Sequence, residues 1–230
     1  DAVAEVEYPE GVYLRRLEFA RAVLETDLLI NVCKLKTHGA TVLTGAVKNV
    51  FGCVPGVRKG LFHVQAGDDR AAFAEMLVDL AAALRPAVNV MDAVVAMDGE
   101  GPNAGRPRPL GLLIASSDPV ALDAVASAVV GLDPMSVDTT RLAHERGVGC
   151  GDLGRVEIRG EAIDAVAVDG FRLSSGVSQW DRFPAFLRKL FRSQLVAVPY
   201  VSADECSGCG DCVEACPVDA IQPGRPASID

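Results

Sequence analysis

Apolar and polar positions alternate with different periods along the chain, and the period marks out the elements. An acidic lead-in occupies residues 1–12, with a strand expected at Val3–Val6 and a turn at Pro9-Glu10-Gly11. From Leu14 to Leu24 the apolar residues Leu14, Leu17, Ala20, Val23 and Leu24 fall at helical spacing, so a helix is expected there. The run Leu28 to Cys33 reads as a buried strand. Asp68 or Asp69 is placed to cap a helix that runs to about Leu84 and stops at Arg85-Pro86. Further strands are expected at Ala87–Val95, Leu110–Ala115 and Val156–Arg159. Ser117-Asp118-Pro119 is a helix start, with Asp118 as N-cap and Pro119 at the first helical position, and that helix ends at Gly131. A short helix follows near Val137–Arg146. Strands alternating with helices of this length predict an α/β fold with a mostly parallel sheet and flanking helices.

A polar stretch from Phe171 to Gln179 ends this region. Phe183, Phe186, Leu187, Leu190 and Phe191 then form an apolar stripe at helical spacing beside Arg182, Arg188, Lys189 and Arg192. A connecting helix docked by its apolar face is the plain reading, and a membrane-surface helix the sharper one. The expected organisation is an α/β domain over residues 1–172, a linker and amphipathic helix over 173–195, and a small cysteine-rich module over 196–230.

Composition narrows the class. Half of the 230 residues are hydrophobic and only 5% aromatic, so Ala, Val and Leu build the core, as in sheets covered by helices on both faces. A net charge of −9 argues against nucleic acid as a partner, and no apolar run is long enough for a membrane span. Seven cysteines suit a reducing compartment, and the cytoplasm is the expected location.

Four of those cysteines carry the clearest chemistry. Cys206, Cys209, Cys212 and Cys216 are separated by two, two and three residues, and Pro217 follows at once. Three thiolates on a glycine-containing turn suit three irons of a 4Fe-4S cubane, while the fourth points toward a second cluster in two-cluster ferredoxins. Zinc fits less well, because structural zinc sites take two separated ligand pairs. No second quartet precedes Asp230 and the chain opens on Asp1 rather than Met. A fragment is therefore expected, with incomplete ligand sets here and two clusters in the full-length protein.

A second signal is an absence of acids. No Asp or Glu lies between Asp27 and Asp68, an interval holding Lys34, Lys36, Lys48, Arg58, Lys59, His38, His63 and six glycines. Loops leaving the carboxyl ends of parallel strands bind ligands in open α/β sheets, and clustered basic groups suit an anion. Lys36, Asn49, Lys59 and His63 are the candidate cofactor-binding residues, with Lys48 and His38 as candidate catalytic groups. Each histidine also has metal-binding and plain hydrogen-bonding readings. Asp98 and Glu100, on the loop Met97-Asp98-Gly99-Glu100-Gly101-Pro102, are candidate proton movers or metal ligands, or simply part of a tight turn. Cys33 reads as a core thiol, Cys53 as exposed and reactive, and His144 as structural. Asp123, inside an apolar helix, is expected to need a buried partner such as a loop lysine.

Four segments together resemble the domain-of-unknown-function family 362. They are Ile30–His38, Thr44–Gly52, Met97–Pro102 and Ser117–Asp123, within a likeness spanning residues 28–135. The resemblance implies an α/β domain fused to a two-cluster ferredoxin module, with further βα units before this region in the typical family member. Gly45 to Lys48, through Pro55-Gly56, is also weakly similar to the lysine loop of nickel-pincer lactate racemase proteins, where such a lysine holds the cofactor. The expected activity is electron transfer between the iron–sulfur module and a small anionic ligand or cofactor, with a redox partner protein, as in a ferredoxin-linked oxidoreductase. A cluster-binding or assembly module and a non-redox isomerase centred on Lys48 are the alternatives.

Overall fold

The computed structural model describes residues 3–66, 69–175, 200–216 and 220–229, apart from the side chains of Val57, Leu61, His63 and Val64. The first element is an antiparallel hairpin of β1 (Val3–Glu7) and β2 (Arg16–Ala20). The helix expected from Leu14 to Leu24 is therefore mostly strand, and only Arg21–Leu24 (α1) is helical. Leu17 and Phe19 alternate inward from β2 with less than 2% exposure, a two-residue period that overrides the looser helical match.

Four strands form the main sheet in the order β4 (Val42–Thr44), β3 (Ile30–His38), β5 (Val88–Asp98), β6 (Arg106–Ser116). β3 and β5 run parallel, whereas β4 on β3 and β6 on β5 are antiparallel. The α/β class stands, but the sheet is mixed rather than mostly parallel. The physical reason is connection length. Seven residues separate Asp98 from Arg106, and a parallel crossover needs a dozen or more. Near its middle β5 slips register against both neighbours, and Lys34 Nζ donates to Asp92 Oδ2 at 2.7 Å and to the Val95 carbonyl at 2.9 Å across that irregularity.

Between β4 and β5 the chain is helical: α2 (Ala46–Asn49), a 3-10 turn at Val50–Cys53, α3 (Gly56–Ala66) and α4 (Arg70–Leu84). Asp69 caps α4, accepting from the Ala72 N–H at 3.1 Å, and Arg85 ends it in the left-handed region. After β6, Asp118 caps α5 (Pro119–Val129), and α6 (Asp138–Glu145) and the short α7 (Ile163–Val166) follow. The strand expected at Val156–Arg159 is absent; that segment is irregular. The apolar stripe from Phe183 to Phe191 lies outside the described residues.

Two apolar clusters organise these elements. In one, Cys33, Leu35, Met91 and Ala93 on one sheet face pack against Leu43, Ala46 and the α5 residues Leu122 and Ala126. In the other, Leu14, Leu17 and Phe19 meet Phe51, Phe62 and the α4 residues Phe73, Met76 and Leu77. Phe51 stacks edge-on with Phe62 and Phe73, at centroid distances of 5.9 and 5.8 Å. Buried Asp79 joins them to the N-terminal turn. It accepts from the N–H groups of Val12, Tyr13 and Leu14 and from the Arg146 guanidinium at 2.6–3.1 Å. Among the described residues the opposite sheet face is uncovered. Ile30, Val32 and Leu113 there are 54%, 65% and 70% exposed, so the expected helices on both faces are found on one.

The C-terminal segment is small. It comprises a helical turn at Asp211–Glu214 and a two-residue strand pair, Ile221–Gln222 with Ser228–Ile229. Arg16 of β2 donates to the carbonyls of Glu214 and Cys216, the latter at 2.6 Å.

Candidate functional site: a lysine cluster and a cysteine quartet

Lys36 on β3, Lys48 on α2 and Lys59 on α3 come together although 23 residues of sequence separate the first from the last. All three are half-buried, and among the described residues none pairs with a carboxylate. Lys59 Nζ stands 5.9 Å from the centroid of the Phe51 ring, a cation–π distance. Burial, reinforced by the charges of Lys36 and Lys59, pulls the Lys48 amine down to about 8. The acid-free interval thus folds into a compact basic site built on helices, where glycines had indicated a loop.

Three anchors hold α2, and with it Lys48. Asp123 from α5 accepts from the N–H groups of Ala46 at 2.6 Å and Val47 at 3.0 Å. The expected lysine partner of Asp123 is therefore a pair of backbone donors. A side chain at Gly45 would place its Cβ 2.1 Å from Asp123 Oδ1, so only glycine permits this approach. Burial lifts the Asp123 carboxyl to about 7 against the opposing pull of these two hydrogen bonds. The third anchor is amide–amide: Asn49 Nδ2 donates to Asn31 Oδ1 at 2.8 Å and to the Val32 carbonyl at 3.0 Å. Asn31 in turn donates to the Ala46 carbonyl and to Asn89 Oδ1. Asn49, expected to bind a cofactor, commits its amide nitrogen to holding α2 on the free edge of β3.

His38 ends β3, and its Nδ1 accepts from the Ala40 N–H at 3.1 Å, which leaves the proton of the neutral ring on Nε2. His63 lies on α3, and its side chain is not among those described. The two loop carboxylates are both hydrogen-bonded to the segment that follows Gly170. Buried Asp98 accepts from the Arg172 N–H at 3.3 Å and meets the Arg106 guanidinium at 3.5 Å. Glu100 accepts from the Ser175 N–H at 2.8 Å and the Ser174 hydroxyl at 3.1 Å, bonds that hold its pKa below the usual carboxylate range. Both carboxylates therefore pin the segment 172–175 across the end of the sheet. Thr37 stitches the same corner, donating to the Gly99 carbonyl and accepting from the Gly101 N–H.

The remaining thiols divide by burial. Cys33 is a core thiol pushed up to about 12 by burial. Cys53 is half-buried and burial raises its pKa as well, so it is not the exposed, activated thiol expected. His144 accepts on Nδ1 from the Gly151 N–H at 3.2 Å, a structural contact.

In the C-terminal segment Cys206, Cys209 and Cys212 are interleaved with Gly208 and Gly210, which adopt φ of +75° and +89°. The backbone N–H groups of Ala227 and Gly208 point at the Cys206 sulfur and lower its pKa. The Ala220 N–H donates to Cys216 Sγ at 3.3 Å. N–H donors of this kind stabilise thiolates and tune iron–sulfur clusters, so the donor set fits a 4Fe-4S group. Among the described residues no three Cys, His, Asp or Glu side chains are gathered closely enough to hold a single metal ion.

Comparison with known proteins agrees with both halves. The 4Fe-4S binding domain matches residues 199–222, which surround the quartet. A thylakoid-associated protein of Synechocystis sp. is 41% identical over 147 residues, covering 61% of this chain and 46% of that relative, so the chain spans about half of the relative's length. No solved structure matches. No helix among the described residues is long and apolar enough to cross a membrane. The domain of unknown function DUF362 matches residues 1–128, beginning at the first hairpin rather than at residue 28, and by that match over more than half its length the chain belongs to the DUF362 family, joined here to a 4Fe-4S binding domain.

Proposed function

We propose that this protein transfers single electrons between its iron–sulfur module and a small anionic ligand or cofactor held by Lys36, Lys48 and Lys59. The observation that carries the reading is a trio of half-buried ammonium groups with no carboxylate partner among the described residues. An ammonium taken out of water without a counter-charge is costly, and an anion offsets that cost on binding. A cleft of about 620 Å³ lies between α3 and the cysteine module, lined by Arg58, Phe62, Asp211 and Glu214 and by none of the three lysines or four cysteines. When bound, the cluster supplies one-electron chemistry. Cys206, Cys209 and Cys212 would hold three of its irons, and Cys216 would serve a second cluster. Arg16, on the carbonyl of Cys216, holds that turn against the hairpin.

Lys48 is the central ligand contact in this reading, with Lys36 and Lys59 as charge partners, His38 as the group that moves a proton and His63 as a further ligand contact. Asp98 and Glu100 are clamps in this reading. A redox partner protein delivers or removes the electrons, and seven free thiols favour a reducing compartment such as the cytoplasm. The depressed Lys48 amine also favours a second reading, a non-redox isomerase with a cofactor held covalently on Lys48. An adduct on the Lys48 peptide of active protein identifies it.

Anaerobic reconstitution of the full-length protein, followed by calorimetric titration with pyrophosphate, tests the proposal. Two clusters correspond to about eight irons and eight sulfides per chain. Lys48→Ala should abolish pyrophosphate binding while the iron content stays unchanged. Retained binding in that variant refutes the site, and an EPR-silent reduced protein refutes electron transfer.

A further inference from the structure

Lys48 is set apart from the other four lysines of the chain by its surroundings. Lys34, for comparison, is ion-paired to Asp92 at 2.7 Å on an exposed strand surface. Lys48 instead projects from a short helix whose backbone is held at both ends, by Asp123 on Ala46 and Val47 and by Asn49 on Asn31 and Val32. It is half-buried, and the charges of Lys36 and Lys59 act on it. A lysine that is desolvated and set beside other cations loses its proton readily and becomes an amine nucleophile near neutral pH. With the amine at about 8, roughly a tenth of it is neutral at pH 7.

We infer that Lys48 is an imine-forming lysine, and that its ligand is a carbonyl compound carrying a carboxylate or phosphate that Lys36 and Lys59 hold. The neutral Nζ lone pair attacks the carbonyl carbon, forming a C–N bond. The oxygen then leaves as water, taking the two amine protons, and a C=N bond remains. No oxidant or reductant enters, and the imine carbon is electron-poor. The two flanking ammonium groups both orient the anionic end and disfavour the protonated form of Lys48 before the ligand arrives. This inference rests on the anion-site reading and adds to it the chemical class of the ligand and the bond it makes.

The test uses the full chain with pyridoxal 5′-phosphate, a phosphate-bearing aldehyde, followed by borohydride reduction and peptide mapping. The reduced adduct should sit on Lys48 in about tenfold or greater excess over Lys34, because the neutral fraction at pH 7 exceeds that of an ordinary lysine by more than that. Labelling should rise with pH through a midpoint near 8, matching the lowered amine. Pyrophosphate should compete, and pyridoxal without its phosphate should label less. Lys48→Arg should lose the adduct. The wild-type mapping stands by itself should that variant fold poorly. Pyrophosphate binding without a Lys48 adduct overturns the imine and leaves the anion site intact. An adduct spread evenly over the lysines also overturns it. Loss of both pyrophosphate binding and adduct overturns both readings together.

Discussion

Replacing Lys48 with methionine keeps the hydrocarbon stem and removes the charge, so it isolates what the ammonium costs the ligand-free protein. A fall from 10.5 to about 8 corresponds to about 2.5 pH units, or about 3 kcal/mol, disfavouring the charged form in the folded state. Residual solvent contact screens part of this, so a gain of about 1–3 kcal/mol is expected for Lys48→Met at pH 7. The sign follows from proton counting. Between about 8 and 10.5 the unfolded chain binds more protons at this position than the folded one, so wild-type stability rises across that window. The variant lacks the rise, and its advantage should shrink toward pH 10. Urea unfolding followed by far-UV circular dichroism, in buffer free of polyvalent anions, reads both values. Added pyrophosphate should stabilise the wild type and leave Lys48→Met unmoved. A variant less stable than wild type at both pH values, or an advantage independent of pH, refutes the electrostatic account of the site.

Other perturbations follow from the same contacts. Asp79→Ala strips acceptors from three backbone N–H groups and leaves Arg146 with Glu75 as its remaining carboxylate partner, so a loss of about 3–5 kcal/mol in urea unfolding is expected. Gly45→Ala forces a Cβ against the Asp123 carboxylate and should weaken pyrophosphate affinity together with stability, by about 1–3 kcal/mol in unfolding free energy. Asp123, raised to about 7 when folded, contributes stability that is complete below pH 3.8 and is lost as pH rises through about 7. Asp123→Asn should flatten that slope in a pH series of unfolding midpoints.

What could be read from the residues depended on whether the signal was local. The cysteine quartet was legible because its ligands lie within eleven consecutive residues and their spacing is itself the chemistry. The lysine site was legible as a gap in acidic residues, because a missing charge needs no knowledge of the fold. Its helical scaffold was not, since Gly52, Gly56 and Gly60 all suggest loop and nothing packs against them. Contacts across long sequence distances were also hidden. Glu100 meets Ser174 and Ser175, 74 and 75 residues away, and Asp123 meets Ala46 across 77. Asp79 gave a usable hint that was overlooked: one acid within Leu77-Val78-Asp79-Leu80 must be satisfied inside the core. The antiparallel β5–β6 pair was hidden, because the expected strands ended at Val95 and began again at Leu110, and only their longer observed extents shorten the connection to seven residues.

Function turns on whether the cluster and the lysine site act as one device. The midpoint potential of the full-length protein, followed by EPR during an anaerobic redox titration with and without saturating pyrophosphate, tests this most directly. Added negative charge disfavours reduction, so pyrophosphate should move the potential downward in the wild type and leave Lys48→Ala unaffected. Identical potentials with and without the anion in protein shown to bind it would contradict the coupling on which this account stands.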